Sequence, residues 1–370
     1  MEFTTDASKF AEALEQIQGA VDKKNTMPIL SHCFVEASNQ GLRLTATDLE
    51  LGIQLFCPAQ VKDAGGGAIP ARRLLDIVRS VGEGDVRARE MENHWIRIAS
   101  SRSIFKLAAM AKDNFPAMPD VPQSLGSVPS GALRWLIDRT AFAVSQDDGR
   151  YTLNAALLVL KADSVRMVAT DGSRLPLAGQ DVEVNGLQNE ERLLIPKRAL
   201  GALRRLADTE ESDMPVHIAK DDGHLFFTVG DGVLIIRMIS GQFPNYEGVL
   251  PQSNDIVATV DTAAFRKALE RVSLLAPERG HGVSFAWDPG RITLSATGSD
   301  AGEATESLDA TYSGEPLRIG FNCLFVMDFF SAVRTGQVEI ALKDEQSAVE
   351  FRPLEDEHGQ YRYILMPMRL

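Results

Sequence analysis

A chain of 370 residues with 44% hydrophobic and 24% charged side chains has the composition of a globular protein of two or three domains, which excludes a disordered polypeptide. Its longest apolar runs, AALLVL at 155–160 and GVLII at 232–236, are too short to span a bilayer, and MEFTTDASKF has no basic lead before an apolar stretch; a cytoplasmic protein without membrane association is expected. The formal charge of −13 argues, taken whole, against a phosphate-bearing partner, and Cys33, Cys57 and Cys323 are too few and too scattered for a disulfide framework or a zinc site.

In chain order, Phe10, Leu14, Ile17 and Val21 recur at helical spacing after the cap-like DAS, which predicts an amphipathic helix over 6–20. LSHCFVEA, GLRLTAT and LGIQLF follow as strands separated by SNQ and DLE. GGGAIP reads as a flexible turn at 65–67 and a short strand, then a helix over 71–81, then strands in VRARE, WIRIAS and IFKLAAM. Later helices are predicted near 131–144, 197–207, 261–274 and 321–334, so the unit is strand, helix, three strands, twice over. Helices among short antiparallel strands indicate an α+β fold.

That unit occurs three times. Thr47 in ATDLEL recurs as Thr170 in ATDGSRL and Thr297 in SATGSD. IPARRLLDIVRSV at 69–81 returns as IPKRALGALRRLA at 195–207, and NFPAMPDVP at 114–122 as QFPNYEGVLP at 242–251. A period near one third of the length is far longer than that of a solenoid, so each copy is expected to be a domain with its own core.

Repetition also sorts the charge. The six helical windows together carry +6, leaving −19 for the rest of the chain. Arg72, Arg73 and Arg79 in the first copy match Lys197, Arg198, Arg204 and Arg205 in the second, and Arg266, Lys267 and Arg271 stand on a helix of the third. A basic face that attracts phosphates, with an acidic remainder, would follow if the helices share one surface.

Catalytic signatures do not stand out: GxxxxGK[ST], HExxH and GxSxG do not occur, and the six histidines have no ligand spacing. Asp48 and Asp171 follow strands, where aspartate suits turn geometry, although a pair of carboxylates could in principle serve acid–base chemistry.

TATDLEL, RYTLNAALL, VATDGSRL, QFPNYEGVLP, TYSGE at 311–315 and the terminal MPMRL, in this order along the whole chain, resemble the bacterial DNA sliding clamp, the DNA polymerase III beta subunit. The resemblance implies three topologically equivalent domains at 1–121, 122–250 and 251–370, each with two helices and antiparallel sheets. It implies a head-to-tail homodimeric ring around double-stranded DNA, bound without regard to sequence, and no catalysis, cofactor or metal. Lys24, Arg72, Arg73, Arg150, Tyr151, Lys197, Arg198, Arg204 and Arg205 are the implied DNA contacts. The implied dimer interface is Ile104, Phe105 and Leu107 on the first domain against Leu274, Leu275, Asp300, Glu303 and Glu306 on the third, with Arg102 and Lys106 available to pair with the acids. The implied peptide pocket is Leu153, Thr170, Gly172, Arg174, Leu175, Pro244, Val249, Ile364, Leu365, Met366, Pro367 and Met368, serving the replicative polymerase, the clamp loader and repair or translesion polymerases through short linear segments. Leu175 and Leu365 can equally be core. Asp147, Thr152, Ser173 and Gly248 depart from residues common in the family. The other reading is an enzyme with a junction site near Asp171 and Arg174.

Overall fold

The computed structural model describes residues 1–22, 27–147, 149–298, 302–333, 336–356 and 359–370, with Tyr151 described through its backbone. In the first repeat the elements are β1 (Glu2–Asp6), α1 (Ala7–Ile17), β2 (His32–Ser38), β3 (Gly41–Thr47), β4 (Leu51–Cys57), β5 (Gln60–Asp63), β6 (Gly65–Pro70), α2 (Ala71–Val81), β7 (Asp85–Glu90), β8 (Trp95–Ser100) and β9 (Ser103–Ala108). The second runs β10 (Ser124–Pro129), α3 (Ser130–Thr140), β11 (Ala155–Lys161), β12 (Ser164–Val168), β13 (Arg174–Gln180), β14 (Glu191–Pro196), α4 (Lys197–Leu206), β15 (Pro215–Lys220), β16 (His224–Val229) and β17 (Gly232–Arg237). The third runs β18 (Ile256–Asp261), α5 (Thr262–Ser273), β19 (Gly282–Asp288), β20 (Arg291–Gly298), β21 (Gly302–Asp309), β22 (Leu317–Asn322), α6 (Cys323–Ala332), β23 (Gln337–Leu342), β24 (Val349–Pro353) and β25 (Gln360–Leu365).

The helices form where capping and periodicity place them. Asp6 accepts from the Lys9 N–H at 3.0 Å to start α1, Asp261 from Ala264 at 2.8 Å to start α5, and Asn322 from Leu324 at 2.9 Å to start α6. Each then buries one stripe: Phe10, Leu14 and Ile17 on α1, Leu74, Leu75 and Val78 on α2, Phe265, Leu269 and Val272 on α5.

Two features differ from the sequence expectation. The glycines at 65–67 are not a flexible turn but the first half of β6, paired with β2. A Cβ on Gly66 would stand 2.8 Å from the Phe34 ring, so the glycine makes room for an aromatic side chain in the neighbouring strand. In addition β5, a short strand paired to β1, gives the first repeat one strand more than the other two.

The chain divides into two compact units. Unit 1 comprises Met1–Arg134, Val184–Gln188 and Arg198–Met238; unit 2 comprises Trp135–Glu183, Asn189–Lys197 and Ile239–Leu370. Unit 1 holds a five-stranded sheet, β5-β1-β7-β8-β9, and an eight-stranded sheet, β10-β15-β16-β17-β4-β3-β2-β6. Unit 2 holds an eight-stranded sheet, β14-β11-β12-β13-β25-β24-β23-β18, and a four-stranded sheet, β21-β20-β19-β22. All named pairings are antiparallel.

Each eight-stranded sheet is joined across a repeat boundary. In unit 1, β17 of the second repeat pairs with β4 of the first, with Ile236 opposite Leu51. In unit 2, β25 of the third repeat pairs with β13 of the second, with Leu365 opposite Arg174. In both of these sheets the last strand of one repeat meets the strand that closes the first three-stranded set of another.

Candidate functional site

The threonine-aspartate pairs build the same turn twice. Thr47 Oγ1 accepts from the Leu49 N–H at 2.9 Å, and Asp48 Oδ1 accepts from Glu50 and Leu51 at 3.0 and 2.7 Å. Thr170 Oγ1 accepts from Gly172 at 3.0 Å, and Asp171 Oδ1 from Ser173 and Arg174 at 2.9 and 3.2 Å. Both carboxylates thus act as backbone mimics that hold a turn closed. In the third repeat Thr297 is the penultimate residue of β20, and the residues at 299–301 lie outside those described.

In unit 2 the strand after this turn carries residues expected in the peptide pocket. Leu175 and Ile364 stand opposite each other on β13 and β25 and join Leu157, Val159, Val168 and Tyr246 in one buried apolar cluster. Phe243, Leu250 and Leu177 pack on its margin. Above this floor Val249 and Met366 are about half exposed, Pro244 and Gly172 are exposed, and Leu153, Thr170, Pro367 and Met368 are partly covered. Leu175, Ile364 and Leu365 are therefore core residues, with at most a few per cent of their surface reaching solvent. The tail is fixed by backbone bonds: Met366 N–H donates to Ser173 O and Met368 N–H to Gly320 O. A Cβ on Gly282 would stand 2.6 Å from the Leu370 side chain and in ordinary contact with Met368 at 3.6 Å, so Met368 is turned toward β19.

Arg174 does not offer its guanidinium to a ligand. Nε donates to Asp171 at 2.9 Å, Nη1 to Asp328 on α6 at 2.5 Å, and Nη2 to the Phe142 carbonyl at 3.1 Å, while the plane stacks 4.1 Å from the Phe325 ring centroid. Burial alone would lower its pKa; Tyr363 and the hydrogen bond to Asp328 outweigh that, and the net shift is upward. Lys197 likewise turns inward: Nζ donates to the Val144 carbonyl at 3.0 Å, and burial, then the nearby Arg174 charge, hold its pKa below the usual lysine range. Arg150, expected at the rim, stays exposed but donates to Asp171 O at 3.3 Å and lies 3.5 Å from the Asp147 carboxylate. Lys24 and Asp300 lie outside the described residues, as does the Tyr151 side chain.

The helix cations of unit 1 border a cleft of about 580 Å³ lined by Glu12, Glu15, Arg72, Arg79 and Arg205 from α1, α2 and α4 and by Asp208 just beyond α4. Arg73 and Arg205 are exposed, Arg204 is half-buried, and Arg198 pairs with Asp48 and donates to Gly19 O.

The expected interface residues that lie on strands sit at sheet edges. Ile104, Phe105 and Leu107 are on β9, the edge of the five-stranded sheet, with Ile104 exposed, Phe105 half-covered and Leu107 buried. Glu303 and Glu306 are on β21, the edge of the four-stranded sheet; Leu274, exposed, and Leu275, half-buried, follow α5. Glu306 is already engaged by Arg271, Nε to Oε2 at 2.9 Å, which draws its pKa down through that hydrogen bond and removes it as an open partner for Arg102 or Lys106. Among the described residues no cluster of His, Cys, Asp or Glu could hold a metal, and no helix is long and apolar enough to cross a membrane.

Models for the N-terminal, central and C-terminal domains of the DNA polymerase III beta subunit match residues 1–119, 127–245 and 247–369. The chain belongs to the DNA polymerase III beta subunit family. Beta sliding clamps from Pseudomonas aeruginosa and Escherichia coli K12 are 32% and 30% identical over the full length of both chains. Among solved structures, a P. aeruginosa DnaN sliding clamp bound to griselimycin superposes with a TM-score of 0.91 at 31% identity, and a C. crescentus beta sliding clamp with 0.90 at 32%, each over 100% of both chains. Membership makes this sliding clamp a processivity factor, with three domains of α+β clamp architecture, and not an enzyme. The enzymatic reading of Asp171 and Arg174 falls, for each satisfies the other.

Proposed function

We propose that two copies close head to tail into a ring that encircles double-stranded DNA, with domains at 1–121, 122–250 and 251–370, and that the unit 2 groove takes short linear peptides from the replicative polymerase, the clamp loader and repair or translesion polymerases. The observation that carries the ring is the series of junctions. β17 meets β4 and β25 meets β13; the remaining pair of that series is β9 with β21, and both are unpaired edges. A chain cannot leave two such edges open without inviting association, and a head-to-tail contact repeated by twofold symmetry consumes both.

The register follows from the same series. Thr47 faces Gly52 as Thr297 faces Glu303, so Leu51 corresponds to Gly302; Val229 faces Gly232 as Ser100 faces Ser103, so Ile236 corresponds to Leu107. The Ile236–Leu51 pair then predicts Leu107 opposite Gly302 of a second copy, Phe105 opposite Ala304 and Lys106 opposite Glu303. Opposite charges meet at the last pair, which favours this register.

Encirclement needs little affinity: the ring holds by topology, and the helix cations at Arg72, Arg73, Arg198, Arg204 and Arg205 serve as weak phosphate contacts that permit sliding. Lys24, Arg150 and Tyr151 complete this reading at the rim, where Asp147 competes for Arg150. In the groove, Val249, Met366 and the floor of Leu175 and Ile364 suit one or two apolar anchors of a peptide. The test is topological. A clamp loaded on nicked circular DNA stays bound until the circle is linearised and then slides off; release that ignores linearisation refutes the ring.

A further inference from the structure

The cations of the helices are, for the most part, already spoken for. Arg79 on α2 donates from Nε to Glu15 on α1 at 2.8 Å, Arg72 lies 3.3 Å from Asp76 one turn on, and Arg198 pairs with Asp48. In unit 2, Arg266 and Arg271 on α5 are held by Glu270 and Glu306. Among the described residues Arg73, Arg205, Lys9 and Lys267 are exposed helix cations with no ion pair, and Lys197, also without one, is turned onto the Val144 carbonyl.

The pairs made by α2 contribute little to stability. Arg79 and Glu15 are each about half exposed, Arg72 and Asp76 more so, and exposed pairs contribute little to folding. Arg72 and Asp76 are i to i+4 neighbours within α2, whereas Glu15 reaches Arg79 from another helix, and Asp48 reaches Arg198 from the turn after β3. What each carboxylate does accomplish is to cancel, at hydrogen-bond distance, a charge that would otherwise meet a phosphate. Glu12, Glu15 and Asp208 line one cleft with Arg72, Arg79 and Arg205, so a phosphate approaching it meets three acids beside three bases.

We infer that Glu15 and Asp76, with Asp48, are affinity-limiting residues of the DNA-facing surface: they compete with phosphates for Arg79, Arg72 and Arg198 and keep the grip weak enough for sliding. The inference rests on the reading that these helices face DNA. A cation that must give up a carboxylate before it takes a phosphate adds little net charge to the contact. The slope of log affinity against log salt, which counts neutralised phosphates, should then reflect the free cations rather than all of them.

The test uses the full-length protein and a short fluorescein-labelled linear duplex, with anisotropy followed through a potassium chloride titration. Glu15→Gln combined with Asp76→Asn should steepen the slope by about 0.9 for each arginine released and tighten binding at low salt. Unchanged slope and affinity overturn the inference. Arg73→Ala with Arg205→Ala provides the second arm. If that variant weakens binding while the carboxylate variant is silent, the limiting role of the acids fails alone; if neither changes anything, the helices do not face DNA and the wider reading fails with it.

Discussion

Leu49 and Gly172 hold the same left-handed backbone step, at φ 74° and 93°, two residues after the threonine that opens each turn. One repeat fills that step with glycine and the other with an exposed leucine. The hydrogen bonds of the turn are the same in both, so the aspartate and threonine specify the conformation, and the third residue tolerates it.

Exchange between the two turns should therefore be asymmetric. Leu49→Gly relieves left-handed strain of about 1 kcal/mol and adds a similar freedom to the unfolded chain, so its thermal midpoint should barely move. Gly172→Leu adds the strain and brings a Cβ to 2.8 Å from Arg150 Nη1, and should cost about 1–2 kcal/mol in thermal unfolding.

Arg174 should prove one of the costliest side chains to remove from unit 2. Arg174→Met leaves Asp171, Asp328 and the Phe142 carbonyl without their shared donor, a loss of about 3 kcal/mol measured by chemical denaturation. Arg174→Lys should recover little, because one ammonium cannot serve three acceptors and stack on Phe325.

At the proposed ring closure, Lys106→Glu and Glu303→Lys should each shift the chain toward monomer in analytical ultracentrifugation, and the two changes together should restore the dimer. Failure of the double variant to recover would place β9 and β21 in another register.

Stability should fall on acidification partly through His32. Burial holds its pKa below the ordinary 6.5, against the opposing effect of the hydrogen bond from Nδ1 to Pro28 O at 2.8 Å. The folded state thus binds fewer protons than the unfolded one below about pH 6.5, and stability drops as pH decreases from there toward the lowered pKa. His32→Gln should flatten the dependence of the urea midpoint on pH below about 6.5.

Apolar periodicity located α1, and the repeat carried the assignment to the other helices, including α6, which is apolar on nearly every side; α2 runs over the predicted 71–81. Strand β5 escaped it because QVKD is largely exposed and has no alternation to read. Pocket and core could not be told apart in the sequence: Leu175 and Leu365 have the same apolar character whether they line a pocket or fill a core, and burial in the fold places both in the core. Arg174 and Lys197 misled in a related way. A formal charge counts equally in a sequence whether it meets water, a carbonyl or a carboxylate, and in the fold both are turned inward onto partners more than a helical turn away in sequence.

The joined sheets govern how this protein could be dissected. A fragment trimmed at the boundary between the first and second repeats would strip β4 of β17 and expose the row of backbone amides along Leu51–Gln54, and the same cut between the second and third would bare β13. Such pieces should precipitate or pair with one another when expressed singly and recombine when mixed, behaving as halves of a split reporter rather than as autonomous modules.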